Sequence, residues 1–120
     1  MTVEPIRDKS KIKKMYYYLN GKNTKYGLLF KFGLNTGLRI SDILPITFND
    51  IFNSHWKYKD YLILNEKKTG KEKKIKLNDI LRKNINDYIK QNNFSLNDYL
   101  FPSQKGGYIQ RVQAYRVLKE

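Results

Sequence analysis

The chain has 120 residues, 40% of them apolar, which is enough for one domain with its own core and too apolar for disorder throughout. It has no cysteine and one histidine, His55, which excludes a disulfide framework, a thiolate nucleophile, a typical zinc site and a histidine dyad, so no metal or cofactor is expected. Twenty-four Lys and Arg stand against 11 Asp and Glu, a net charge of +13 that repels itself in a compact fold and makes most sense against a polyanion, although a lysine-rich proteome would produce it as well. No apolar run approaches the roughly 20 residues that span a bilayer, and no signal peptide opens the chain; a cytoplasmic protein is expected.

No repeat or Pro/Ser-rich linker divides the sequence, so residues 1–120 read as one unit. Asp8 and Ser10 offer helix N-caps, and Ile12, Met15, Tyr16 and Leu19 follow at helical spacing until Asn20 and Gly21 stop the helix. A second helix begins near Asn23 or Thr24 and carries Tyr26, Leu29, Phe30 and Phe32 towards Gly37. It is apolar nearly all round, which predicts a central position. Ser41 reads as the cap of a short helix through Asp42, Ile43 and Leu44, which Pro45 ends.

A short strand region follows, and then "YLILNEKKTGKEKKIKL" reads as strand, tight turn and strand. Tyr61–Asn65 is the first arm, Lys68-Thr69-Gly70 the turn, and Lys73–Leu77 the second, with one face apolar and one cationic. Asn78 or Asp79 caps a third long helix with Ile80, Leu81, Ile85, Tyr88 and Ile89 inward. "YLFPSQKGGY" is an extended segment and loop, and "IQRVQAYRVLKE" begins a last helix with no C-cap signal. The fold class is therefore α+β, mostly helical with a small antiparallel hairpin.

Arg39 stands out in "NTGLRISDIL", between a leucine and an isoleucine at the end of an apolar helix. A guanidinium group keeps its proton, and burying it without a partner is expensive. It therefore either pairs with an acid in the helix turn or faces an anion that the chain does not supply.

The order of "TGLRISD", "KKTGKEKKIKL" and "YLFPS" resembles that of the tyrosine recombinases, the phage integrase family. The match extends over nearly the whole chain. The opening "EPIRDKSKIKKMYYYLNGKN" is similar to the start of short, single-domain integrases of Gram-positive bacteria, which have no separate core-binding domain. The resemblance implies a catalytic domain that acts on double-stranded DNA, with recombinase protomers as partners in a tetramer. Arg39 matches the arginine that grips the scissile phosphate, and Lys68 matches the hairpin lysine that protonates the 5′-hydroxyl leaving group. Lys67, Lys71, Lys73 and Lys74 join them as candidate DNA contacts, each of which would also suit plain solvation. Asp42 matches a supporting acidic position.

The family completes its site with a His-x-x-Arg motif, a later His or Trp and a nucleophilic tyrosine. None of these has a match: His55 lies ahead of the hairpin, and Tyr108 and Tyr115 fall before the expected nucleophile. The expectation is the N-terminal two-thirds of a catalytic domain, inactive in strand cleavage by itself. Two alternatives compete with it: a non-catalytic DNA-binding or regulatory remnant, and an RNA-associated protein whose aromatic residues stack on bases.

Overall fold

The computed structural model describes residues 9–66 and 68–119. Along the chain these form α1 (Lys9–Lys22), α2 (Thr24–Thr36), α3 (Ile40–Ile43), α4 (Phe48–Ile51), β1 (Leu62–Asn65), β2 (Glu72–Ile75), α5 (Asp79–Lys90) and α6 (Arg111–Lys119). The α+β class read from the sequence holds. Asp8 and Lys67 lie outside the described residues.

The apolar stripe of α2 organises the rest. Leu28, Leu29 and Phe32 are buried, and the helix touches α1, α3, α5 and α6, so its central position is as expected. Asn23 caps it, its side chain accepting from the Lys25 N–H at 3.1 Å. Gly27 lets α1 approach, because a Cβ there would lie 2.7 Å from Asn20 Oδ1. Contrary to the expected stop at Asn20 and Gly21, α1 continues to Lys22. The Asn23 N–H donates back to the Leu19 carbonyl at 3.1 Å, and packing against α2 outweighs the roughly 1 kcal/mol that a helical glycine costs.

The strand region expected after Pro45 is instead the short helix α4. Asp50 closes its first turn by accepting from the Thr47 N–H at 2.9 Å and the Thr47 hydroxyl at 3.1 Å. Phe48 and Phe52 then join Trp56, Tyr58, Phe94 and Tyr88 in a chain of ring contacts. In α5 the inward stripe is Leu81, Ile85 and Tyr88, whereas Ile80, expected inside, is 60% exposed. With Asn78 fixed as N-cap by its bond from the Leu81 N–H, Ile80 turns about 100° away from Leu81.

The strands pair antiparallel with Leu62 opposite Ile75 and Leu64 opposite Lys73. Leu100 and Phe101 of "YLFPS" are fully buried. The Leu100 N–H donates to the Ile46 carbonyl at 3.0 Å, its carbonyl accepts from the Tyr88 hydroxyl at 2.6 Å, and the Ile109 N–H donates to Phe101 at 2.9 Å. This extended segment therefore fixes where α6 starts. No helix among the described residues is long and apolar enough to cross a membrane.

Candidate functional site

Arg39 owes its position to three neighbours. Gly37 adopts the left-handed conformation (φ 69°) that ends α2, its N–H donating to the Gly33 carbonyl at 2.9 Å. The Thr36 hydroxyl donates to the Phe32 carbonyl at 2.7 Å and accepts from the Leu38 N–H at 3.2 Å. Leu38 then drops into the core, and Arg39 emerges exposed as the N-cap of α3, where Ser41 had been expected. Its carbonyl accepts from the Asp42 and Ile43 N–H groups, leaving the guanidinium outside. The apolar neighbours of Arg39 thus anchor the turn without burying the charge.

Lys68 arrives from the other side. The hairpin closes through the Glu66 N–H to the Lys71 carbonyl at 2.8 Å and the Gly70 N–H to the Glu66 carbonyl at 2.7 Å. Gly70 takes the left-handed conformation (φ 71°) that the turn requires. Lys68, at the tip, and Arg39 line the same open cleft of about 560 Å³, together with Ser41, Arg111 and Tyr115. Three cationic side chains from three separate parts of the chain therefore border one opening. A larger concavity of about 1030 Å³ between α1, α2 and α5 shares no lining residue with it. Its lining includes the apolar Ile12, Leu34 and Ile80, the acidic Asp87 and five lysines, but no arginine, so it offers ammonium groups without the planar guanidinium forks that Arg39 and Arg111 bring to the smaller cleft.

The remaining sequence candidates separate. Lys71 is exposed at the hairpin. Lys73 lies on the strand face shared with Leu64 and Ile75, not on a cationic face, and its ammonium sits 3.2 Å from Glu66. Lys74 extends over the Tyr61 ring at 4.5 Å from its centroid. Lys67 lies outside the described residues. Asp42 is buried and lines a different, small cavity with Pro45, Asp50 and Ile63. His55 is exposed in a turn organised by Asn53, whose side chain accepts from its N–H at 2.9 Å.

Sequence reasoning did not single out Arg111 or Glu66, and it met Tyr115 only as a tyrosine that falls before the expected nucleophile. The i, i+4 spacing of Arg111 and Tyr115 places them on one side of α6, but only the packing of Ile109 and Ala114, both fully buried, decides that this side borders the cleft. Glu66 is an acid beside the site, near enough to Arg39 to interact with it electrostatically, although it does not line the cleft. Hydrogen bonds from Lys73 and then Thr69, with a further electrostatic contribution from Lys73 and from Arg39, hold its carboxyl below the usual carboxylate range against an opposing effect of burial. Behind the cleft, Lys25 donates to the Pro102 carbonyl at 2.9 Å and ties α2 to the segment that leads into α6; burial lowers its pKa from the ordinary lysine value.

The family model for the phage integrase family matches residues 7–120. The probable integrase/recombinase YoeC of Bacillus subtilis (strain 168) is 43% identical over 119 residues, which cover 98% of this chain and 62% of that protein. The chain thus spans less than two thirds of this relative's length. No solved structure gives a significant match.

Proposed function

The chain belongs to the phage integrase family, and we propose on that premise that it is the part of a site-specific tyrosine recombinase that grips double-stranded DNA. The observation that carries this reading is the shared cleft: Arg39 and Lys68, distant in sequence, border one opening with Arg111. Like charges gathered at one place repel unless an anion joins them. The net charge of +13 supports the same partner.

Within this proposal Arg39 presents its planar fork to two oxygens of the scissile phosphate. There it also stabilises the charge that develops in a pentacoordinate transition state. Lys68, a point charge on the hairpin tip, reaches the departing 5′-oxygen and gives it a proton. Arg111 contacts phosphate on the far wall, Lys71 adds backbone charge, and Asp42 supports α3 from below. Cleavage itself requires a nucleophile that forms a 3′-phosphotyrosyl link, and the proposal assigns that role to none of these 120 residues. They form the N-terminal two-thirds of the catalytic domain, working with further protomers on paired DNA sites.

The test is a duplex-binding titration over a salt series. Affinity falls with a log–log slope of about −0.9 for each phosphate neutralised, and Arg39→Ala and Lys68→Ala both bind more weakly than wild type. Salt-insensitive binding, or alanine variants that bind as wild type does, would overturn the reading.

A further inference from the structure

A surface that selects a polyanion has no electrostatic use for a carboxylate beside its arginine, yet Glu66 sits there. Only 14% of its side chain is exposed. By the strand register it lies on the face of the hairpin that carries Leu62 and Leu64, beyond the last paired residues Asn65 and Glu72. One oxygen accepts from the Thr69 hydroxyl at 3.1 Å, and the other meets the Lys73 ammonium at 3.2 Å. Its backbone supplies both hydrogen bonds that close the turn, to Lys71 and from Gly70. The Thr69 hydroxyl in turn accepts from the Lys71 N–H at 3.2 Å. Each of these Glu66 contacts encloses Lys68, and the bond between Lys71 and Thr69 tightens the turn just beyond it.

The geometry points to Glu66 as a positioning residue that holds the hairpin tip so that Lys68 faces Arg39 across the cleft. This inference rests on the DNA-binding reading above and adds a residue that the reading does not need. The physical reason is that lysine is a flexible point charge. Four described lysines stand at Lys68, Lys71, Lys73 and Lys74, and their mutual repulsion would open an unsupported turn. Glu66 neutralises Lys73 and fixes Thr69, which leaves Lys68 directed at the opening. Its negative charge opposes phosphate, but its contacts hold the cation that receives phosphate.

The two effects predict opposite signs. If Glu66 were only a negative charge near DNA, Glu66→Ala would tighten binding. As a positioning residue, it weakens binding about fivefold when replaced by alanine, the equivalent of one hydrogen bond. Glu66→Gln, which keeps an acceptor for Thr69, recovers part of the loss. The decisive measurement is duplex affinity of Glu66→Ala in wild-type and Lys68→Ala backgrounds, with amide spectra of both. The expected result is weakening in the first background, none in the second, and shifted amides confined to the turn.

Tighter binding by Glu66→Ala in the wild-type background overturns the inference. So does equal weakening in both backgrounds, which would mark a general loss of structure. Should Arg39→Ala and Lys68→Ala both bind as wild type does, the DNA-binding reading fails separately. The amide shifts at Lys68 and Gly70 then decide whether Glu66 sets the turn: unmoved amides reject it.

Discussion

The two sides of the cleft are built on opposite terms. Arg39 stands on the turn between α2 and α3, fixed by Leu38 and Ile43 in the core and by Gly37 and Thr36 at the helix end. Lys68 stands on a hairpin of two four-residue strands whose tip is held by polar contacts to Glu66 and Thr69. A planar donor fork gains from a rigid base, because two hydrogen bonds to one phosphate demand a fixed orientation. An ammonium on a four-carbon stem has no orientation to preserve and tolerates a softer base. The difference teaches that fold stability and site geometry are separable here: damage on the arginine side unfolds, whereas damage on the lysine side misplaces.

The strongest way to break that contrast is at Phe32, which is fully buried and meets Phe101 edge-on at 6.3 Å between centroids. Phe32→Ala loses about 3–5 kcal/mol of stability in urea unfolding; a loss under about 1 kcal/mol would mean that the arginine side has no rigid base. Next in size is the exchange of the two cations. Arg39→Ala weakens duplex binding by about 1.5–3 kcal/mol, and Arg39→Lys does not restore it, because the second hydrogen bond has no donor in the right plane. Lys68→Arg, by contrast, binds close to wild type. Equal rescue at both positions in the titration would remove the distinction between fork and point charge.

Gly37 and Gly70 give a matched pair. Their φ angles are 69° and 71°, and an added Cβ would meet nothing within 4 Å at either, so alanine suffers the same left-handed strain, about 1–2 kcal/mol. At Gly37 that strain appears in global unfolding, since α2 and α3 carry the core. At Gly70 it appears as local opening, because a hairpin with few buried contacts exchanges before the whole molecule unfolds. Amide hydrogen exchange read beside urea melts separates the two. Identical global losses would show that the hairpin unfolds with the body.

How much of this was legible in the sequence follows from the range of each constraint. Gly37, Leu38 and Arg39 could be read together because glycine at a helix end and alternating burial are local rules. The hairpin was legible for the same reason, and its observed strands differ only at their ends. The helix α4 was not. The sequence predicts a short strand region there; the helical turn is closed locally by Thr47 and Asp50 and held from more than 40 residues away, where the Phe48 N–H donates to Asp98 at 3.1 Å and the Asn49 N–H to Leu96 at 2.8 Å. Ile80 failed for a geometric reason, since a run of apolar residues gives the stripe only once the cap residue is fixed. Arg39 and Lys68 were named from motifs, whereas Arg111 and Tyr115 needed the folded position of α6, which no local pattern encodes.

The smallest predicted effect distinguishes the two sides by pH. Glu66 has its carboxyl held below the ordinary value of 4.5 by Lys73, Thr69 and Arg39. A group whose folded pKa lies below its unfolded one binds fewer protons when folded, so it contributes stability above the unfolded value and loses it as pH falls through the folded one. The window therefore opens near 4.5 and extends downward. Because the contacts are confined to the hairpin and its approach to Arg39, the loss belongs to the lysine side: turn amides at Lys68 and Gly70 lose exchange protection in acid before those of α2 do. Glu66→Gln, which has no proton to bind in that range, flattens this early phase and leaves the protection of α2 unaltered. If the turn and α2 lost protection together in both proteins, the carboxylate would be stabilising the whole domain, and the soft side of the cleft would be no softer than the rigid one.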